Sequence, residues 1–508
     1  MNNSICDYLL NSADRLPVKT ALITQNMSVS YKDLMDQSIK LANILTDEGL
    51  SRGDRVVIAC GNTLETVITF WAALLANAVV SVIDHKQPIE KIHYTLKDSD
   101  ASAFIYTSNL DSKEIHKNFP EIILLGEKNL LKQISKHTDS TIPLRKHLDI
   151  DLASIIYTSG STGEPKGVMH THRSMLAASH SINTYLNNSS NDIVLSALPL
   201  SFDYGLYQMI MMVAVGGTLI LEKDFVLPSR FLKLIETHQP TALPVVPSMV
   251  PLLEQFNTLK SYNLDSVRYV TNTGAALMQG HISTIQKLFK KSVVFSMYGV
   301  TECKRCTYLP PKEISTKPES IGIPIPNTEM WITDETGARL GPHEIGEIVV
   351  RGQTVMKGYW NKPEATARKL KAGPIPGEFI LHTGDYGHID EDGYFYFYGR
   401  VDEVIKSRGV KVSPKEIESI LNANPEIIEA AAVGVAHDLY GQAIVLFVSA
   451  SNKNLSIREV EQYCKRRLQP QQQPIDIVVM SSLPKTINGK LNKRLLSEDY
   501  QLNKAKSA

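Results

Sequence analysis

The hydroxyls and glycines of Thr158, Ser159, Gly160, Ser161, Thr162 and Gly163, followed by Lys166, form the densest set of anion-directed groups in the chain. Glycines let backbone N–H groups converge on an anion, hydroxyls add donors, and lysine supplies a compact positive charge. The group such a loop holds most naturally is a polyphosphate. The spacing is not that of G-x-x-x-x-G-K-[ST], because Pro165 stands five residues after Gly160. A Ser/Gly-rich surface loop is the plain alternative. A second candidate is Asp203, set between Phe202 and Tyr204 at the head of an apolar run. A carboxylate there is costly to bury without a partner, so it either meets a cation or caps a helix at the surface. A third is Cys303-Lys304-Arg305-Cys306. It has no second cysteine pair and no histidine cluster beside it, which argues against zinc.

These groups sit in a chain of 508 residues, too long for one core, with an ordinary 43% hydrophobic and 21% charged composition. Lys+Arg 53 against Asp+Glu 53 gives a formal net charge of +0, which argues against a broad nucleic-acid or anionic-membrane surface. Five cysteines are few and odd in number, as in a reducing compartment. The first residues lack a basic stretch followed by an apolar run, and the longest apolar candidate, 209 to 220, is short and interrupted by Gly216-Gly217. The expectation is a cytoplasmic protein with no membrane and no nucleic-acid partner.

The elements that must position these groups are legible as alternating patterns. Residues 31 to 45 space apolar side chains at three and four, a helix face, and residues 64 to 78 read the same way. Short β-branched runs at 55–59 and 79–83 read as buried strands, and Ile155-Ile156 as a strand end entering the Ser/Gly loop. Strand and helix in alternation imply βαβ units and largely parallel sheet. His170-Thr171-His172-Arg173 is expected to open a helix, its histidines two apart and therefore on different faces, which favours polar packing over a metal. Residues 321 to 352 show short strands broken by Gly and Pro, a small β-subdomain. Near the C-terminus, 416–421 reads as helix and 430–435 and 444–448 as strands, and the polar tail beyond Ser497 is expected to fray.

The run from Ser154 to Gly167 closely resembles the phosphate loop of the adenylate-forming superfamily, which includes acyl-CoA synthetases, luciferases and nonribosomal adenylation domains. The resemblance extends over nearly the whole chain, with further motifs in the family order. Asn272 to Leu277 resembles the adenine-side loop, which implies Gly274, Ala275 and Ala276 against the purine. Ser296 to Glu302 carries the shared Tyr-Gly-x-Thr-Glu motif, with Tyr298 stacking on adenine, Gly299 beside it, Thr301 donating to the phosphoryl ester and Glu302 holding Mg2+. Asp385 in Leu381-His-Thr-Gly-Asp would accept from the ribose hydroxyls. Gly399-Arg400-Val401-Asp402 implies that Arg400 contacts ribose or phosphate and that Asp402 is a hinge, with Gly409 facing a thiol acceptor. Lys490, in a terminal motif matched almost residue for residue, would bridge substrate carboxylate and α-phosphate.

What the resemblance implies is an α/β protein in two domains. Residues 1–399 form a large adenylation domain of βαβ-type sheets packed with helices plus the small β-subdomain. Residues 400–508 form a small mobile α+β domain that carries the catalytic lysine. Lys490, Thr301 and Lys166 would be catalytic, with ATP and Mg2+ as cofactors. In amino-acid adenylation domains a Phe-Asp at the place of Phe202-Asp203 pairs with the substrate amine. Asp203 therefore implies an amino acid, with Tyr204, Tyr207, Met297 and Cys303 beside it. Residues 303–306 depart from the small or apolar residues usual after the motif Glu, so an unusual acid is expected. The expected reaction is activation of an amino acid, L-proline by resemblance to free-standing prolyl adenylating enzymes. Transfer to the phosphopantetheine thiol of a separate carrier protein follows. An acyl- or aryl-CoA ligase using coenzyme A is the alternative.

Overall fold

Alternating apolar runs and amphipathic helices build parallel sheets in the computed structural model. It describes residues 3–25, 27–143, 148–158, 164–255, 262–275, 277–401, 403–407, 410–437, 441–450, 455–485 and 491–507. Packing divides the chain into two units, residues 1–330 with 350–381, and residues 331–349 with 382–508.

In the first unit, six strands run parallel in the order Thr20–Ile23, Thr218–Leu221, Ile193–Ser196, Ala242–Val245, Tyr269–Asn272, Val293–Tyr298. Thr307–Leu309 and Ser320–Pro324 extend this sheet with antiparallel strands beyond Val293–Tyr298. A second sheet pairs Ile123–Gly126, Ala101–Tyr106, Arg55–Ala59, Val79–Val82 and Leu152–Thr158 in parallel, and Lys166–Thr171 then turns back antiparallel. The expected helix from residue 64 ends at Leu75, because Asn77 takes a left-handed φ of 61° and releases the chain into the next strand. The helix expected from His170 begins instead at His172. Thr171 accepts from the Ser174 backbone N–H as a cap, which leaves His170 as a ladder residue paired with Ser154. The His172 ring accepts from the Ile5 backbone N–H at 3.2 Å, so both histidines serve packing.

Two devices hold the loops at the carboxyl ends of these strands. Asn62 donates to the Leu198 and Glu222 carbonyls at 3.0 and 2.9 Å and accepts from Leu200 N–H at 2.9 Å, which pins the segment leading to Asp203. Gly205 then lies against the same segment: a Cβ there would stand 2.2 Å from the Pro199 carbonyl oxygen. Elsewhere, His170 is fully buried and donates from Nε2 to the Thr301 carbonyl at 3.0 Å. Burial, then the nearby Lys304 charge, push its pKa well below the usual imidazole value.

In the second unit, Ile427–His437 and Gly441–Ala450 pair antiparallel, and Asp476–Met480 adds in parallel. Their side chains alternate faces. Ala430, Ala432, Ile444, Leu446 and Val448 share one core with Ile417, Leu421 and Val460, whereas Ala431, Val433, Val435, Val445 and Phe447 share another with Leu496. The tail beyond Ser497 is not frayed: Lys493–Ser507 is a helix, tied by Tyr500 donating to Asp476 at 2.8 Å and packing edge-on to Phe447. Among the described residues no helix is long and apolar enough to cross a membrane.

Gly205→Ala is expected to lower stability by about 2 kcal/mol, since the added methyl meets backbone that cannot yield. Gly280→Ala, where nothing lies within 4 Å, should be neutral or slightly stabilising. Denaturant midpoints of the two variants provide the comparison, and equal loss in both would remove the steric explanation. For His170, the unfolded chain takes up a proton near pH 6.5 that the native site refuses. Stability should therefore fall as pH drops below about 6.5, at up to about 1.4 kcal/mol per pH unit from this group. His170→Gln should flatten that slope in melts between pH 6.5 and 5, and an unchanged slope would assign the acid sensitivity elsewhere.

Candidate active site

The described motif residues of the first unit lie at or beyond the carboxyl ends of parallel strands or on the hairpin opposite, the place where open α/β sheets hold ligands. Thr158 and Lys166 are register partners at the mouth of the hairpin, and the Thr158 hydroxyl reaches the Lys166 carbonyl at 3.5 Å. Ser159, Gly160, Ser161, Thr162 and Gly163, together with Ala276, Asp402, Gly409 and Lys490, lie outside the described residues. Gly274, with a φ of 85°, and the exposed Ala275 follow the strand Tyr269–Asn272. A Cβ at Gly274 would meet the Phe202 ring at 3.4 Å, so the segment before Asp203 packs directly on this loop. The Asn272 carboxamide oxygen and Thr273 hydroxyl beside it are buried without hydrogen-bond partners among the described residues.

Tyr298 ends the strand Val293–Tyr298, and Gly299 admits a sharp return. A Cβ at 299 would stand 2.2 Å from the Lys304 carbonyl oxygen. Thr301 and Glu302 occupy the turn, held by His170 on the Thr301 carbonyl and by Met356 N–H on the Glu302 carbonyl at 2.7 Å. Sequence reasoning missed Tyr359. Its strand Gly358–Tyr359 pairs with Lys166–Thr171, its hydroxyl donates to Glu302 Oε1 at 2.5 Å, and its ring centroid lies 5.5 Å from the Lys166 ammonium. One tyrosine thus joins the expected phosphate lysine to the expected metal carboxylate, and nothing in local spacing signals it.

On the other side of the same turn stand the residues expected at the acyl group. Asp203 is half-buried in the first turn of the helix Asp203–Val215, with Tyr207 one turn along. Burial, then the Asp203 charge, push the Tyr207 phenol well up, and its hydroxyl has no hydrogen-bond partner among the described residues. Tyr204 shares a 2.7 Å hydrogen bond with the Thr271 hydroxyl. Met297 accepts from Tyr185 OH at 2.8 Å, and Tyr185 stacks on Tyr308 at 4.2 Å. Cys303 and Cys306 are buried, with their sulfurs 2.8 Å apart. The Cys306 thiol, then burial, push the Cys303 thiol well up, which favours its protonated form. Among the described residues no group of three His, Cys, Asp or Glu is placed to hold a metal.

Lys304 and Arg305, unassigned from sequence, point into this cluster. They are only 5% and 4% exposed. The Lys304 ammonium lies 5.2 Å from the Tyr207 ring and the Arg305 guanidinium 5.0 Å from the Tyr204 ring. Lys304 Nζ and Arg305 Nε have no hydrogen-bond acceptor among the described residues. Burial pushes the Lys304 ammonium down to about 8, against the opposing pull of Asp203.

In the second unit, Asp385 is buried and pairs with Arg400 at 3.1 Å across the antiparallel strands Phe379–Ile389 and Phe395–Arg400. Glu347 braces the loop before it, accepting from Gly384 N–H at 2.9 Å and meeting His382 at 2.8 Å. The flanks of the terminal motif, Lys485 and Leu491, form an isolated antiparallel bridge.

Comparison with known proteins places this geometry. The sequence model of the AMP-binding enzyme family matches residues 9–360, and that of the AMP-binding enzyme C-terminal domain matches residues 416–490. The long-chain-fatty-acid–CoA ligase of Bacillus subtilis (strain 168) is 30% identical over 541 residues, covering 98% of this chain and 95% of its own. Gramicidin S synthase 1 of Brevibacillus brevis is 29% identical over 490 residues, covering 95% of this chain and 43% of that larger protein. The crystal structure of ATP-bound MatB from Rhodopseudomonas palustris superposes with a TM-score of 0.90 at 26% identity, covering 98% of this chain and 99% of that one. Relatives named for different products leave the acid open but agree on the reaction class. The chain belongs to the AMP-binding enzyme family and is an AMP-forming ligase of the adenylate-forming superfamily.

Proposed function

We propose that this ligase activates an amino acid as its aminoacyl-adenylate and passes the acyl group to the phosphopantetheine thiol of a separate carrier protein. In the first step a carboxylate oxygen of the acid attacks the α-phosphorus of ATP and pyrophosphate leaves. In the second the thiol sulfur attacks the acyl carbon, its proton is lost, and AMP leaves. The observation that carries the amino-acid reading is Asp203, a half-buried carboxylate beside buried aromatic rings. A substrate ammonium offset by that carboxylate satisfies both charges.

The chain's own residues position and neutralise. Thr301 would donate to the phosphoryl ester, Lys166 and the loop before it would hold the departing phosphates, and Lys490 would bridge the two reactants. Tyr298 would stack on the adenine ring beside Gly274 and Ala275. Asp385 and Arg400, paired at 3.1 Å, would meet the ribose. Glu302, a half-buried hard oxygen ligand already oriented by Tyr359, fits a single Mg2+ carried on the nucleotide, whose contribution is neutralisation of phosphate charge. Residues 400–508 would move about Asp402 between the steps, presenting the loop of Gly409 to the thiol. A second reading has one observation in its favour. Asp203 also faces Lys304, so it would serve as that lysine's counter-charge in an acyl- or aryl-CoA ligase.

Asp203→Ala separates the readings. A carboxylate–ammonium pair in a partly dry site costs about 2 to 5 kcal/mol when one member is removed. ATP–pyrophosphate exchange with the preferred amino acid should therefore fall by roughly 30-fold or more, while its des-amino analogue loses little. Equal loss with both compounds would favour the counter-charge reading. Lys490→Ala should remove exchange by orders of magnitude and spare thiol transfer from supplied aminoacyl-adenylate. Parallel loss of both half-reactions would overturn its assignment to the first step.

A further inference from the structure

Lys304 and Arg305 are buried cations; among the described residues Lys304 Nζ and Arg305 Nε have no acceptor, while the Tyr185 phenol meets the Arg305 guanidinium, and burying such charges is costly unless an anion pairs with them. The cost is not an accident of a loose surface loop. Lys304 has a φ of 68°, the left-handed region that strains any residue with a Cβ. Gly299 is required so that the Lys304 carbonyl can approach the strand end. The backbone is thus bent to turn both side chains inward. Around them stand mainly phenols: the Tyr207 hydroxyl, without a hydrogen-bond partner among the described residues, Tyr204 and Tyr185, with the Asp203 and Glu302 carboxylates as the acidic neighbours of Lys304. Two cations and a free phenol donor are the recognition set for an anion, and a guanidinium suits a planar carboxylate in particular.

We propose that Lys304 and Arg305, with the Tyr207 hydroxyl, form a subsite for a second carboxylate of the acid, so that the substrate is an amino dicarboxylic acid. This rests on the amino-acid reading for its amine, which Asp203 holds. The reacting carboxylate goes to the nucleotide, and the remaining carboxylate goes to the two cations. Proline carries no second anion and leaves both cations as costly in the complex as in the free protein. An acidic amino acid replaces it as the expected substrate class.

The test is ATP–pyrophosphate exchange by the full-length protein with aspartate and glutamate, their amides asparagine and glutamine, proline and leucine, and the amine-free diacids succinate and glutarate. The expected result is that one acidic amino acid exceeds its own amide by about 100-fold or more in kcat/KM. Lys304→Met and Arg305→Met should each lower exchange with that acid by about 30-fold or more, leave its amide within about threefold, and leave KM for ATP unchanged. Binding is read independently of turnover by the melting-temperature rise that the acid, against its amide, gives the unmodified protein. Lys304→Gln serves where the methionine variant does not fold. A neutral amino acid such as proline as best substrate would overturn the inference, as would variants that harm acid and amide alike. A rise in KM for ATP with every acid would overturn it too, assigning the cations to nucleotide phosphate. Succinate or glutarate performing as well as the amino diacids would keep the two-cation subsite and overturn the amine on Asp203.

Discussion

The site depends on one close approach: the Lys304 carbonyl folded back onto Gly299, where any side chain would collide with backbone at 2.2 Å. That contact closes the segment 299–306 into a turn whose two ends, Tyr298 and Thr307, stand opposite each other in adjacent antiparallel strands. The turn is then anchored from outside by His170 on the Thr301 carbonyl, Met356 on the Glu302 carbonyl, and Tyr298 accepting from Cys306 N–H at 2.9 Å. Each of these anchors grips the main chain, whereas the Glu302 side chain is met separately by the Tyr359 hydroxyl and the Lys304 and Arg305 side chains turn toward the rings of Tyr207 and Tyr204.

The electrostatics around that turn are mutually dependent. An imidazolium at His170 would add a third buried positive charge beside Lys304, and both burial and that lysine hold the ring neutral. A neutral ring with its proton on Nε2 is what the Thr301 carbonyl needs as a donor. Lys304 in turn is depressed by burial and raised by Asp203, so any group that pairs with Asp203 also alters how readily Lys304 keeps its proton. Amine and second anion are therefore not independent choices for a ligand here.

Much of this was legible in the residues themselves. The strands at 55–59 and 79–82, the helix from 31 and the parallel sheets follow from periodicity, and the family from short motifs whose residue types match a nucleotide's chemistry. Helix ends were less legible, because they depended on single left-handed residues such as Asn77 and on a cap at Thr171. Contacts distant in sequence were invisible: Tyr359 to Glu302 spans 57 residues and His170 to Thr301 spans 131. Cys303 drew attention as the half of a C-x-x-C beside the acyl group, whereas the burial of the two cations between the cysteines was not legible in the spacing. A basic pair reads as a solvated surface in sequence. Only its burial, with Lys304 Nζ and Arg305 Nε lacking acceptors among the described residues, gives it another meaning.

The same turn separates two sets of side chains. Thr301 and Glu302 are positioned by main-chain bonds and by the absence of a side chain at 299, not by what stands at 303–306. Replacing those four residues with small apolar ones would leave the anchors intact while removing two charges from the acyl side. Within such a frame, changes at 303–306 cost little in the placement of Thr301 and Glu302, since main-chain bonds hold those two residues. The basic pair here sits on the part of the turn that its main-chain anchors leave free to vary. In the proposed subsite a bound carboxylate would offset part of the cost of burying these two cations.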